Sequence, residues 1–283
     1  MKLNLYTYFW GEEFKKLFTE YCYKSMMQEG NIPSLLKRGV EVTWDIVTDT
    51  NIEIDNPIVN VQKMNKVNPN AKNESINTSF REMIAKSSKN KTTTAIISPD
   101  YIVGDKTLYN AFRLLEGRKD GCISVAHPRV EWEKIDGYKP MSNPELVKYA
   151  FDYAHVCLHG SFDNNPINNT WAGIAIRQID DKTYSVIHNL ATPFICQFNQ
   201  SDVDFFNRTH YAHFDRTFTK KLLEEKRIKL VGSSDVCFFV EITKAQHNPE
   251  KCESKNGVQM LNNDKEIAGE NHYNQFYVTW RGE

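Results

Sequence analysis

No C-x-x-C pair occurs among the six cysteines of this 283-residue chain. Cys22, Cys122, Cys157, Cys196, Cys237 and Cys252 are scattered, several of them inside apolar runs. That spacing argues against a cysteine zinc site. It points to reduced, mostly buried thiols in a cytoplasmic protein. No apolar run approaches the ~18 residues that a membrane span needs. The opening stretch MKLNLYTYFWGEEF turns charged too soon for a secretory signal. Charge of one sign is also missing, since 35 Lys and Arg stand against 36 Asp and Glu, a net charge of -1. A bulk attraction to nucleic acid is therefore not expected, although a local basic face stays open.

Several motifs are absent too. Without G-x-x-x-x-G-K-[ST] there is no Walker-type phosphate loop. Without G-x-G-x-x-G after the first strand, a dinucleotide site of the usual kind is not expected. G-x-S-x-G is missing as well. His155 and His159 stand four apart, the spacing of H-E-x-x-H, but Val156-Cys157-Leu158 supplies no Glu. The metalloprotease reading therefore lacks its general base.

What is present is an alternation of strands and helices. Residues 3–8 and 40–47 alternate as strands, and 58–61 forms a short third. Phe14, Leu17, Phe18, Tyr21 and Cys22 repeat at helical spacing until Gly30-Asn31-Ile32-Pro33 breaks the helix. Ile76, Phe80, Met83 and Ile84 mark another helix. A buried strand over 93–98 then leads to Asp100, followed by a helix with Leu108, Phe112 and Leu115 and with Gly117 as its cap. Such alternation argues for an α/β fold, a mostly parallel sheet flanked by helices. Right-handed crossovers bring the strand ends at Tyr8, Thr48 and Asp100 to one edge, and open α/β sheets bind ligands at that edge.

Past residue 140 the pattern becomes a more irregular α+β one. A helix is expected over 144–159, and a hairpin over 171–179 and 183–188. A further helix is expected over 217–227, short strands over 228–231 and 236–242, and a last strand over 276–280. The stretch 245–257 reads as irregular.

Asp100 is the first candidate for chemistry. A carboxylate at such a strand end can act on a bound diphosphate through Mg²⁺ or Mn²⁺. Ser98-Pro99-Asp100 is also a good turn on its own chemistry. His210-x-x-His213-x-Asp215 gathers two imidazoles and a carboxylate within six residues. Asp215 can serve there as the base that deprotonates an acceptor hydroxyl. Asp152 and Asp163 are weaker acceptor-site candidates. Residues 208–229 interleave Arg and Lys with Tyr211, Phe214 and Phe218. That composition suits a nucleic-acid strand or an anionic glycan, but it also suits a solvated helix face.

The stretches AIISPDYIVGDKTLYNAF and YFWGEEFKKLFTEYCYKSMMQEGNIPSLL resemble the GT-A class of nucleotide-sugar glycosyltransferases. Some bacterial and viral members carry the second pattern. The likeness spans residues 1–245. It implies a GT-A-like, Rossmann-related fold, with residues 1–140 as the nucleotide-sugar half and 141–283 as the acceptor half of one globular unit. It places Thr7, Tyr8, Phe9, Trp10, Thr48 and Asp49 around the nucleobase, although Tyr8, Phe9 and Trp10 also read as core aromatics. Asp100, with His188, would hold the metal, Mn²⁺ or Mg²⁺. The sequence departs from the class at Ser98-Pro99-Asp100, which offers one carboxylate where two are usual, and Asp105 lies too far along to replace the other. The function implied is transfer of a sugar from a nucleotide-sugar donor to a hydroxyl. The acceptor is a glycan or polysaccharide, or a hydroxymethylated base in viral DNA. A nucleotidyltransferase and a non-catalytic carbohydrate- or nucleic-acid-binding module are the alternatives.

Overall fold

The computed structural model describes residues 2–64, 72–159, 162, 174–188, 193–209, 216–246 and 277–283. The first strand, β1 (Lys2–Phe9), is almost wholly buried. A strand covered on both faces needs apolar or hydrogen-bonded side chains at every position, and this one has them. A helical run follows without a break: α1 (Gly11–Leu17), a π turn (Phe18–Cys22) and α2 (Tyr23–Met26). The expected break at residues 30–33 is followed at once by α3 (Ile32–Lys37), with Pro33 in its first turn. Then come β2 (Glu41–Thr48), β3 (Val59–Lys63), α4 (Lys72–Asn90) and β4 (Thr93–Ile96).

The chain next leaves the first sheet. Strand β5 (Tyr101–Val103) belongs to a second one, and α5 (Thr107–Leu115) returns to cover the first. Gly117 follows α5 with φ +75°, the left-handed turn expected of it. After β6 (Cys122–Ser124) and β7 (Arg129–Glu131) come α6 (Asn143–Asp152) and α7 (Val156–His159). The single helix expected over 144–159 is thus two helices. Between them Ala154 bridges Val130, and His155 precedes α7.

The hairpin expected at 171–188 is β8 (Ile174–Gln178) paired antiparallel with β9 (Thr183–His188). Strand β10 (Pro193–Gln197) and helix α8 (Gln200–Arg208) were not expected. Pro193-Phe194-Ile195-Cys196 is a short apolar run, which periodicity alone does not assign. Helix α9 (Arg216–Glu224), β11 (Ile228–Leu230), β12 (Phe239–Thr243) and β13 (Tyr277–Arg281) complete the order. The expected irregular stretch lies outside the described residues from 247 onward.

The main sheet has seven strands in the order β11-β6-β10-β4-β1-β2-β3. All run parallel except β10, which is antiparallel to both its neighbours. The fold is therefore α/β with a mostly parallel sheet. Strands β10 and β11 come from beyond residue 140, so both halves of the chain build one sheet. Leu3, Leu5, Phe9 and Trp44 face the core under α3 and α5, with Phe18, Leu35 and Phe112. Tyr6 faces the opposite core, with Met83 and Ile84 of α4 and Phe206 and Phe218 of the later helices. The second sheet, β5-β12-β7, packs with α6 and Trp280 in a third cluster.

One buried ion cluster ties the late helices to the main sheet. Asp202 sits in the first turn of α8 with a fully buried side chain. Arg227 grips it with two bonds of 2.7 Å, and Lys221 adds a third of 2.7 Å. Arg227 also donates to the backbone oxygens of Asp120 and Gln197. Burial alone would push the Asp202 carboxyl up. The two cations and the Asn199 N–H outweigh that, so its pKa falls below the usual carboxylate value. The cluster thus contributes stability above the unfolded Asp pKa and loses it as pH falls through the lowered one. Asp202→Asn leaves two buried cations short of a partner and should cost about 3–5 kcal/mol in urea unfolding at pH 7.

Candidate functional site

The parallel strands β1, β2 and β4 all end at one edge, with Phe9 beside Thr48 in register. At that edge the chain turns from β1 into α1 through Trp10 and Gly11. Gly11 holds φ +79°, where a side chain would be strained. Its N–H donates to Asp49 Oδ1 at 2.8 Å, so Asp49 fixes this corner.

Strand β4 ends in the turn Ser98–Tyr101, closed by a 3.3 Å bond from the Tyr101 N–H to the Ser98 oxygen. The turn chemistry read from Ser98-Pro99-Asp100 is therefore present, and it places Asp100 at the sheet edge. The Asp100 carbonyl accepts from the Ile242 N–H at 2.8 Å. Its side chain is half-buried, and Oδ1 is buried without a hydrogen-bond partner among the described residues. An orphaned carboxylate oxygen is costly unless a proton or a ligand satisfies it. Burial raises the Asp100 pKa to about 7, and the nearby Glu241 charge adds to the rise. The Ser98 hydroxyl and Arg129 offset only part of it.

A pocket of about 330 Å³ opens here. Tyr8, Phe9 and Trp10 line it from β1 and its turn, Asp100 from the turn after β4, and Ile76 and Phe80 from α4. Among the described residues, Asp100 is the one charged side chain in its lining. Tyr8 and Trp10 meet edge to face with centroids 6.0 Å apart.

The remaining sequence candidates lie elsewhere. Thr7 is fully buried and accepts a bond from Trp44 Nε1 at 3.0 Å. Thr48 is fully buried and bonds Thr50 at 3.0 Å. Neither lines the pocket, and Asp49 is engaged by Gly11. Phe9 touches the pocket but is mainly core, at 1% exposure. Asp105, already discounted as a second carboxylate, accepts from the Gly30 N–H at 2.9 Å. His155 is wholly buried, with Nε2 3.1 Å from the Lys244 oxygen, and burial lowers its pKa. His155 precedes α7 and lies outside the helix that carries His159, whose side chain is outside the described residues. His188 ends β9, and its side chain lies outside the described residues, as do His210, His213, Asp215 and Asp163. Asp152 pairs with Lys148. In the basic–aromatic segment Phe218 is fully buried, while Lys221 and Arg227 are spent on Asp202 and Glu225.

Sequence reading missed the group behind Asp100. Glu241 of β12 lies opposite Tyr101 of β5 in register. Arg129 Nη2 meets its Oε1 at 2.9 Å, and His127 Nε2 lies 3.6 Å from its Oε2. Burial pushes the Glu241 carboxyl up, but His127 and Arg129 outweigh it and hold the pKa at about 2. The His127 ring stacks on Phe239, a pocket wall, at 4.5 Å. Glu241 is remote in sequence from His127 and Arg129 and meets them through the pairing of β12 with β7, so spacing gave no signal. Among the described residues, no three His, Cys, Asp or Glu side chains are arranged to hold a metal. Asp100 offers one hard oxygen of the kind Mg²⁺ or Mn²⁺ takes.

No family model matches the chain, and no curated protein matches it. Solved structures do. S. aureus TarS aligns at 12% identity and TM-score 0.44, over 86% of this chain and 37% of that one. TarS 1-349 in complex with UDP-GlcNAc aligns at 11% and 0.43, over 91% and 61%. TarS 1-349 alone aligns at 11% and 0.45, over 96% and 74%. The chain thus spans well under two thirds of the full TarS chain.

The raised Asp100 pKa has a testable sign. Relative to the unfolded chain, the folded state binds this proton more tightly, so stability is full at low pH and declines as pH climbs toward 7. Asp100→Asn should therefore raise Tm at pH 8 but not at pH 4, and an equal shift at both would refute the assignment.

Proposed function

We propose that the pocket is the donor site of a glycosyltransferase that uses a nucleotide sugar. The observation that carries this reading is the meeting, at the carboxyl edge of a parallel sheet, of an aromatic wall and one lone carboxylate. The aromatic faces of Tyr8 and Trp10 suit a nucleobase. The diphosphate lies toward Asp100, which cannot pair with it directly, since both are anionic once Asp100 ionises. A divalent cation reconciles them: Asp100 and phosphate oxygens would hold it, and it would offset charge on the departing nucleoside diphosphate. His188 stays the proposed second ligand.

In the transfer, an acceptor hydroxyl oxygen bonds to the anomeric carbon while the carbon–oxygen bond to the diphosphate breaks. The hydroxyl proton passes to a base, for which Asp215 is the proposed group. Of the acceptors, a glycan is favoured over hydroxymethylated DNA, because the net charge of -1 supplies no bulk attraction to a polyanion and two of the segment's cations, Lys221 and Arg227, are tied to Asp202. TarS, which has been solved with UDP-GlcNAc, gives one reason to begin a donor panel with that compound.

The experiment is a panel of UDP- and GDP-sugars with Mn²⁺ or Mg²⁺, read by thermal shift and donor hydrolysis. At least one donor should raise Tm and be hydrolysed, and cation dependence should strengthen from pH 6 to pH 8 as Asp100 ionises. Silence toward every donor, with and without metal, would remove the reading. Asp100→Ala should lower turnover at least ~100-fold while the protein stays folded, on the scale of removing a group that stabilises transition-state charge. Hydroxymethylated DNA, followed by nucleoside mass analysis, separates the two acceptor classes.

A further inference from the structure

The pocket has a wall that the reading of its sequence did not include. Helix α4 lies across β1 and sends Ile76 and Phe80 into the same pocket as Tyr8 and Trp10. Its seating there is set by two hydroxyls one turn apart. Ser75 shares a 2.7 Å hydrogen bond with the Tyr8 hydroxyl. Ser79 bonds the Tyr6 hydroxyl, which also donates to the Ser79 carbonyl at 3.2 Å. Tyr6 and Tyr8 are two apart on a strand and so share a face. Ser75 and Ser79 are four apart on a helix and share one too. The two rungs match strand period to helix period and cross-link the elements side chain to side chain. The Phe80 ring rests on Tyr6, centroids 5.7 Å apart, and is only partly buried. Phe80 is part of the pocket lining.

We propose that Phe80, seated by the Ser75–Tyr8 and Ser79–Tyr6 hydrogen bonds, is a specificity-determining wall of this pocket for a planar heteroaromatic ring. This deepens the donor-site reading and rests on it, because the ring in question is the nucleobase. Two features favour a flat, uncharged ring over a sugar or a phosphate in this part of the pocket. Among the described residues, the walls from β1 and α4 are aromatic or aliphatic and present no cation. Sugar hydroxyls or phosphate would leave polar groups unpaired there. Ser75 is a positioning residue in this scheme. Its bond holds the Tyr8 hydroxyl at the rim, so the hydroxyl cannot swing across the pocket.

The test uses the full chain and free nucleosides, uridine, guanosine and adenosine, titrated by calorimetry, with UDP and GDP in parallel. Phe80→Ala should weaken the nucleoside that the wild type binds by roughly tenfold or more, the scale of one lost stacking partner. Phe80→Leu keeps apolar volume without a π face, so it should weaken binding while holding Tm near wild type. Ser75→Ala should weaken binding a few-fold and flatten the preference among the three bases. If the wild type binds a nucleoside and Phe80→Leu binds it equally well, the α4 wall is wrong and the donor site survives. If the wild type binds no nucleoside and no nucleotide, both readings fall together.

Discussion

The geometry of the site depends on one backbone hydrogen bond, from the Ile242 N–H to the Asp100 carbonyl. Strand β4 belongs to the main sheet and β5 to the second, and only a four-residue turn separates them. Such a short connection between two sheets needs an anchor on its far side, and β12 supplies it. The bond holds the turn against the second sheet while Ile97 is still tied to Tyr6 of the first by a 2.9 Å bond. Asp100 is thus fixed between two rigid layers. Its carboxylate is held half-buried at this seam with one oxygen out of water, and that burial raises its pKa.

The charges behind the turn follow from the same constraint. A second carboxylate, Glu241, is brought close by strand register. Two neighbouring anions in a poorly solvated place would normally force one to protonate. Arg129 and His127 settle which. They pair with Glu241 directly and stabilise its charge, so the proton falls to Asp100. The result is a site with one committed anion behind its wall and one adjustable group facing the pocket. The arrangement resembles the pairing of carboxylates with separated pKa values that enzymes use for acid and base roles.

Much of this was legible in the sequence, and the limits have physical causes. The first half alternates strands and helices with clear periods, so its main elements, the shared edge and the turn at Asp100 could be read, while the short α3, β5 and β7 could not. Local chemistry was readable too: Gly117 takes the left-handed cap position, and the hairpin expected between 171 and 188 pairs β8 with β9. Strand β10 was not readable, because a four-residue apolar run carries no period. Nor was the Glu241–Arg129–His127 group, since Glu241 lies more than a hundred residues from the other two. Thr7 and Thr48 show the opposite failure. A polar residue near a strand end resembles a ligand contact, yet both are spent on satisfying buried neighbours. Pattern locates such residues at the edge but does not tell which way a hydroxyl points.

The reversed strand β10 has a consequence for how the protein is made. Because it runs against its neighbours, its first residues, Pro193 and Phe194, reach the pocket edge. Phe239 closes the same wall from β12. The pocket is therefore assembled from chain segments more than two hundred residues apart. During synthesis from the N-terminus, the aromatic wall of β1 is among the first parts to emerge, and it must wait for β12 before it is covered. No amino-terminal fragment ending before residue 239 contains the whole pocket. Such a fragment would leave Tyr8, Trp10 and the Asp100 turn exposed, as a target for chaperones rather than as a smaller working site.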